Sequence, residues 1–110
     1  TLKVNKRGVL LLNITYKNKK MHKICTDASI AAKTYGSEMA LKIAMRVDQI
    51  QATDSIEVLV QNKIGRCHQL RGNRKNEYAM DLVHPYRLVF KIDEFNNIQI
   101  AFIIEIIDYH

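Results

Sequence analysis

Few side-chain types can move a proton or hold a phosphate near neutral pH, and this 110-residue chain carries several in its C-terminal half. Its last three residues, Asp108-Tyr109-His110, set an acid, a phenol and an imidazole side by side. Such a group offers proton donors and acceptors together, and an imidazole titrates near neutrality. His68 stands just ahead of a basic run, Arg71-Gly72-Asn73-Arg74-Lys75. Three cations around one glycine suit a phosphate-binding loop, and equally a charged hairpin loop. Arg87 interrupts an apolar alternation, on the side opposite Tyr86, Leu88 and Phe90. A guanidinium there costs burial free energy unless it faces solvent or an anion.

These side chains do chemistry only if backbone elements bring them together. Val9–Tyr16 is apolar and β-branched, with Leu10, Leu12, Ile14 and Tyr16 on one side of a period-2 strand. From Met21 the period changes: Met21, Ile24, Cys25, Ala28, Ala31, Ala32 and Tyr35 mark one face of an amphipathic helix. Gly36 sits where that helix should end, and Ser37 is placed to cap a second one, striped by Met39, Ile43, Val47 and Ile50. A short helical turn fits Ser55–Asn62, and a short strand fits His68–Arg71. Glu77–Val83 and Tyr86–Ile92 alternate as strands on either side of His84-Pro85. Asp93–Asn97 reads as a turn before the apolar strand Ile98–Ile107. Chain termini usually fray, but this last strand runs directly into Asp108, which predicts an ordered C-terminal group. The expectation is an α+β fold of order β-α-α-β-β-β: a mainly antiparallel sheet with a helical hairpin on one face and the other face partly open.

Length and composition are consistent with one domain over 1–110, with residues 1–8 as an extension outside its core. Gly and Pro total only five residues, against collagen-like or linker-like chains. The longest apolar run, Ile100–Ile104, is far short of a bilayer span, and no signal-peptide pattern opens the chain. Cys25 and Cys67 read as structural thiols of a reduced, cytoplasmic protein. Adjacent Cys67-His68 lacks a second ligand pair at zinc spacing, so neither a metal nor a cofactor is expected. The net charge of +6 is unevenly spread: residues 1–26 hold +7 and residues 63–91 hold +5, whereas residues 92–110 hold −4. Basic blocks of this kind suit a polyanionic partner or a solvated surface. Lys19, Lys20 and Lys23 in the first block, with Arg66, Arg74 and Lys75 in the second, are the candidate RNA contacts.

The stretch from Cys67-His68-Gln69-Leu70-Arg71-Gly72 through Tyr78, continuing in His84-Pro85-Tyr86-Arg87-Leu88-Val89-Phe90, resembles the HigB-like toxins of the RelE/ParE superfamily, the plasmid maintenance system killer proteins. The ending Asp108-Tyr109-His110 matches that branch, and the resemblance spans about residues 13–110. It implies a RelE-like fold and a ribosome-dependent mRNA endonuclease. It also implies a HigA-like helix-turn-helix antitoxin, operator DNA bound through the toxin–antitoxin complex, and no membrane partner. His68, Arg71, Arg87, Asp108, Tyr109 and His110 fall on the family's catalytic positions. Metal-free cleavage of RNA sends the neighbouring 2′-OH onto phosphorus, which requires a base, cations on the phosphorane oxygens and an acid for the leaving oxygen. Where the family often has G-D-R-K-G, this chain has Gly72-Asn73-Arg74-Lys75-Asn76, and asparagine tolerates the positive φ that a turn at position 76 needs. A gyrase-inhibiting toxin on the ParE model and a binding module without catalysis are the alternatives.

Overall fold

The computed structural model describes Val4, Gly8 and residues 12–109. His110, the Val9–Leu11 start of the expected first strand and the rest of the expected N-terminal extension lie outside the described residues. In chain order the elements are β1 (Asn13–Tyr16), α1 (Lys19–Thr26), α2 (Ala28–Tyr35), α3 (Ser37–Gln51) and α4 (Ile56–Gln61). A 3-10 turn at Ile64–Arg66 follows, then β2 (His68–Gln69), β3 (Glu77–Asp81), β4 (Tyr86–Phe95) and β5 (Ile98–Asp108). The strands form one sheet in the order β1-β5-β4-β3-β2. Among the described strands only the β1–β5 pair is parallel; the others are antiparallel, as the mainly antiparallel α+β expectation requires.

The expected helical hairpin is in fact three helices, because the first predicted helix breaks at Asp27. Its backbone is extended (φ −127, ψ 104), and its carboxylate accepts hydrogen bonds from the Ser29 and Ile30 amides at 3.0 and 3.3 Å. That carboxylate satisfies N–H groups that a new helix start would otherwise orphan. The apolar stripe continues on both sides of the break, so periodicity alone cannot see it. Gly36 ends α2 and also precedes α3 at φ 95, a conformation that suits glycine, and Ser37 is the first residue of α3 rather than its cap. The last turn is tighter than expected. β4 extends to Phe95, leaving only Asn96-Asn97, both at positive φ (51 and 65), the pattern of a two-residue hairpin turn.

The helices cover one face of the sheet. The stripe Met39, Ile43, Val47 and Ile50 is buried as its spacing predicts, against Leu12, Met80, Leu88, Phe90 and Ile103. On the opposite face Ala79 and Val89 are also fully buried, although they belong to no part of the main core cluster. No helix among the described residues is long and apolar enough to cross a membrane.

Both thiols are free and buried, and burial pushes Cys25 up to about 11 and Cys67 up to about 12. The neutral-pH thiolate fraction therefore falls by ~10²-fold or more relative to an exposed cysteine. In the native protein both should resist a thiol-specific disulfide reagent that labels two cysteines at once after denaturation. Because the folded pKa values lie above the ordinary 9.0, the stability they reflect is complete below pH 9 and is lost as pH rises toward 11 and 12.

Candidate functional site

The register of the sheet sorts the candidate residues onto its two faces. Across the strands His68 pairs with Ala79, Ala79 with Val89, and Val89 with Glu105. One step along, Asp81 pairs with Arg87, and Arg87 with Ile107. Cross-strand partners share a face, so His68, Asp81, Arg87 and Glu105 stand together on the side away from the helical layer. Asp108 instead pairs with Tyr86, which packs on the core and meets Tyr35 edge-on, so the register places Asp108 on the helix side of the sheet's end.

Arg87 is fixed from two directions. Its Nε lies 3.4 Å from the Asp81 carboxylate, and its guanidinium carbon lies 4.4 Å from the centroid of the Tyr109 ring. A guanidinium over an aromatic face is attracted by the ring quadrupole. Tyr109 is in turn anchored by its amide, which donates to the Pro85 carbonyl at 3.0 Å. A tight turn from Val83 to Tyr86 folds this corner: the Tyr86 amide donates to the Val83 carbonyl at 2.8 Å, and the His84–Pro85 peptide is cis. The break that Pro85 imposes on the strand pattern thus becomes the corner that holds Tyr109 beside Arg87.

Asp81 holds a second arginine. Arg66 donates through Nε to one carboxylate oxygen at 2.7 Å and through Nη2 to the other at 3.0 Å, a bidentate pair. These bonds, with the positive charges of Arg66 and Arg87, hold the Asp81 carboxyl below the usual carboxylate range. The Asp81 carbonyl is clamped from behind by Arg46 of α3, whose Nε donates to it at 2.6 Å. Gly65, at φ 58, leaves room for that guanidinium: a Cβ there would lie 2.8 Å from the Arg46 Nε. His68 completes the group. Its Nδ1 lies 2.9 Å from the Arg66 carbonyl, which can only accept, so Nδ1 carries the hydrogen and the neutral ring keeps its lone pair on Nε2.

The sequence-predicted candidates therefore divide. Arg66, His68, Arg87 and Tyr109 converge, and Arg66, Arg87 and Tyr109 line a cleft of about 70 Å³ together with Asp81, Leu82, His84, Pro85 and Tyr86. Arg74 lies alongside: it donates to Glu77 at 2.8 Å and to Glu105 at 3.4 Å, and the Tyr109 phenol lies within its electrostatic reach. Arg71 and Lys75 are exposed in the loop between β2 and β3 and pair with no carboxylate among the described residues. That loop ends at Asn76, at φ 65, the positive value its residue type allows. Lys19, Lys20 and Lys23 lie exposed on α1, away from the cleft lining. Asp81 and His84 were missing from the candidate residues. Asp81 had a readable signal, a carboxylate facing Arg87 across two alternating strands, whereas nothing in the spacing of His84 sets it apart.

No protein-family model matches the chain, and no curated protein matches it. Solved structures do. The chain is similar to a YoeB/ParE toxin from Agrobacterium tumefaciens, with a TM-score of 0.59 at 10% identity over 90% of this chain and 100% of that one. It is also similar to a chain of a YoeB–YefM complex from Staphylococcus aureus, with a TM-score of 0.58 at 24% identity over 90% of this chain and 97% of that one. The fold is that of the YoeB/ParE toxins.

Proposed function

We propose that this chain is the toxin of a toxin–antitoxin pair and acts as a metal-free mRNA endonuclease on the ribosome. One observation carries the reading: Arg87 is held between Asp81 and the Tyr109 ring beside Arg66 and His68, on the sheet face the helices leave uncovered. In this reading Arg87 and Arg66 stabilise charge growing on the phosphorane, with Arg71 delivered by its loop when RNA binds. His68 accepts a proton at Nε2, and Tyr109 stacks on a base or donates a proton. Asp108 and His110 remain the C-terminal candidates for proton transfer. Arg74, Lys75 and the α1 lysines guide the RNA backbone. The cytoplasm is the compartment where this substrate is met, and 1–110 acts as a single domain.

A protein antitoxin is the proposed partner, since a chain similar to this one belongs to a YoeB–YefM complex. A HigA-like helix-turn-helix protein, with operator binding by the pair, extends that reading. The likeness to a YoeB/ParE toxin keeps gyrase inhibition as the second reading. Controlled induction separates them: growth arrest with in-frame cuts in a translated reporter transcript supports the endonuclease. Arrest with intact transcripts and loss of supercoiling by purified gyrase supports the other.

A further inference from the structure

Among the described residues lining the cleft, Asp81 is the one carboxylate, and it is engaged by both arginines that face it. An acid at an anion site is costly for ground-state binding, because its charge opposes the incoming phosphate. Its placement here has three structural supports. The backbone under it is clamped by Arg46 from α3. Both of its oxygens accept from Arg66, at 2.7 and 3.0 Å, and Oδ1 is shared with Arg87, whose Nε lies 3.4 Å away. The two arginines are also unequal: the Arg66 side chain is 59% exposed on a 3-10 turn, whereas Arg87 is 27% exposed on a central strand and stacked on Tyr109.

From this geometry we infer that Asp81 is a positioning residue that trades phosphate affinity for arginine orientation, aiming Arg87 and releasing Arg66 to the RNA phosphate as it binds. Arg66 is the exchangeable partner because its side chain is the more exposed of the two, 59% against 27%. Arg87 keeps Asp81 at its Nε and Tyr109 at its face, so its terminal nitrogens stay directed into the cleft. The inference rests on the proposed RNA reading of this site, but part of its test does not need cleavage.

The test is Asp81→Asn in the full chain, which preserves side-chain size and the backbone bond from Arg46. With translated mRNA on ribosomes, kcat should fall by ~10-fold as Arg87 loses its orientation. KM should fall by about threefold as an opposing charge leaves the cleft. A short single-stranded RNA oligonucleotide should likewise bind about threefold more tightly. A parallel loss in kcat and rise in KM, or no change in either, overturns the inference. Should the unaltered chain leave transcripts intact, the endonuclease reading fails, and the oligonucleotide decides the inference alone: unchanged or weaker binding by Asp81→Asn overturns it. A measurement on the unaltered protein guards against misfolding of the variant. Adding the oligonucleotide should shift the Arg66 Nε–H NMR signal more than that of Arg87; equal or absent shifts overturn the exchange of Arg66.

Discussion

Arg87→Ala is expected to lower RNA cleavage by about 10²–10³-fold while the chain remains folded. The magnitude follows from the role. Removing one preorganised donor from a developing oxyanion typically costs this much, because the site loses charge stabilisation that water does not replace in a prearranged form. The side chain is partly exposed and lies on the face opposite the main core, so its loss should leave cooperative unfolding nearly intact. It also frees Tyr109, whose ring loses the guanidinium at 4.4 Å, and leaves Asp81 to Arg66 alone. Arg87→Lys should recover little. A lysine brings the charge but neither the fork that engages two oxygens nor the flat group that stacks on tyrosine. Single-turnover cleavage on programmed ribosomes, with urea unfolding as the control, measures both variants. Cleavage by Arg87→Ala within threefold of the unaltered chain would remove Arg87 from the site.

Sequence periodicity located the strands and the main helical stripe because each reports burial on one face, which is a local property of residue order. It failed where the deciding interaction is polar and specific. Asp27 divides one apolar stripe into two helices by accepting two backbone hydrogen bonds, which leaves the apolar spacing unchanged. Asn96 and Asn97 close a two-residue turn inside what reads as a five-residue loop, because both adopt positive φ and let the strands pair to their ends. The site follows the same division. Arg87 is legible because a charge interrupts an apolar alternation. The convergence of Arg66 with it is not legible, since Arg66 arrives from a 3-10 turn 21 positions earlier and meets β4 only through Asp81. Asp108 shows another limit of spacing: three adjacent residues read as one chemical group, whereas the register sets Asp108 opposite Tyr86 and the Tyr109 ring lies under Arg87.

The core that supports this arrangement should be most sensitive at Phe90. The ring is fully buried on β4, opposite Ile103 and next to Tyr78, with which it is stacked at a centroid distance of 6.0 Å. Phe90→Ala should cost about 3–5 kcal/mol, the sum of lost transfer free energy and an unfilled cavity. A domain of this size has only about 5–15 kcal/mol of stability, so a large share is removed and the urea midpoint should drop sharply with an unchanged slope. Phe90→Leu refills much of the space and should cost less than half as much. The position also carries a functional consequence that a surface substitution lacks. The β4–β5 register shifts between Val89 and Phe90, only a few residues from Arg87 on the same strand. Packing of Phe90 against the helical layer thus holds the irregular point of the ladder from which β4 presents Arg87 to the other face. Phe90→Ala should therefore lose more cleavage than its folded fraction accounts for, whereas an equally destabilising change in the helical layer, such as Ile43→Ala, should lose activity only in proportion to the fraction unfolded. Proportional loss in both would confine Phe90 to stability alone.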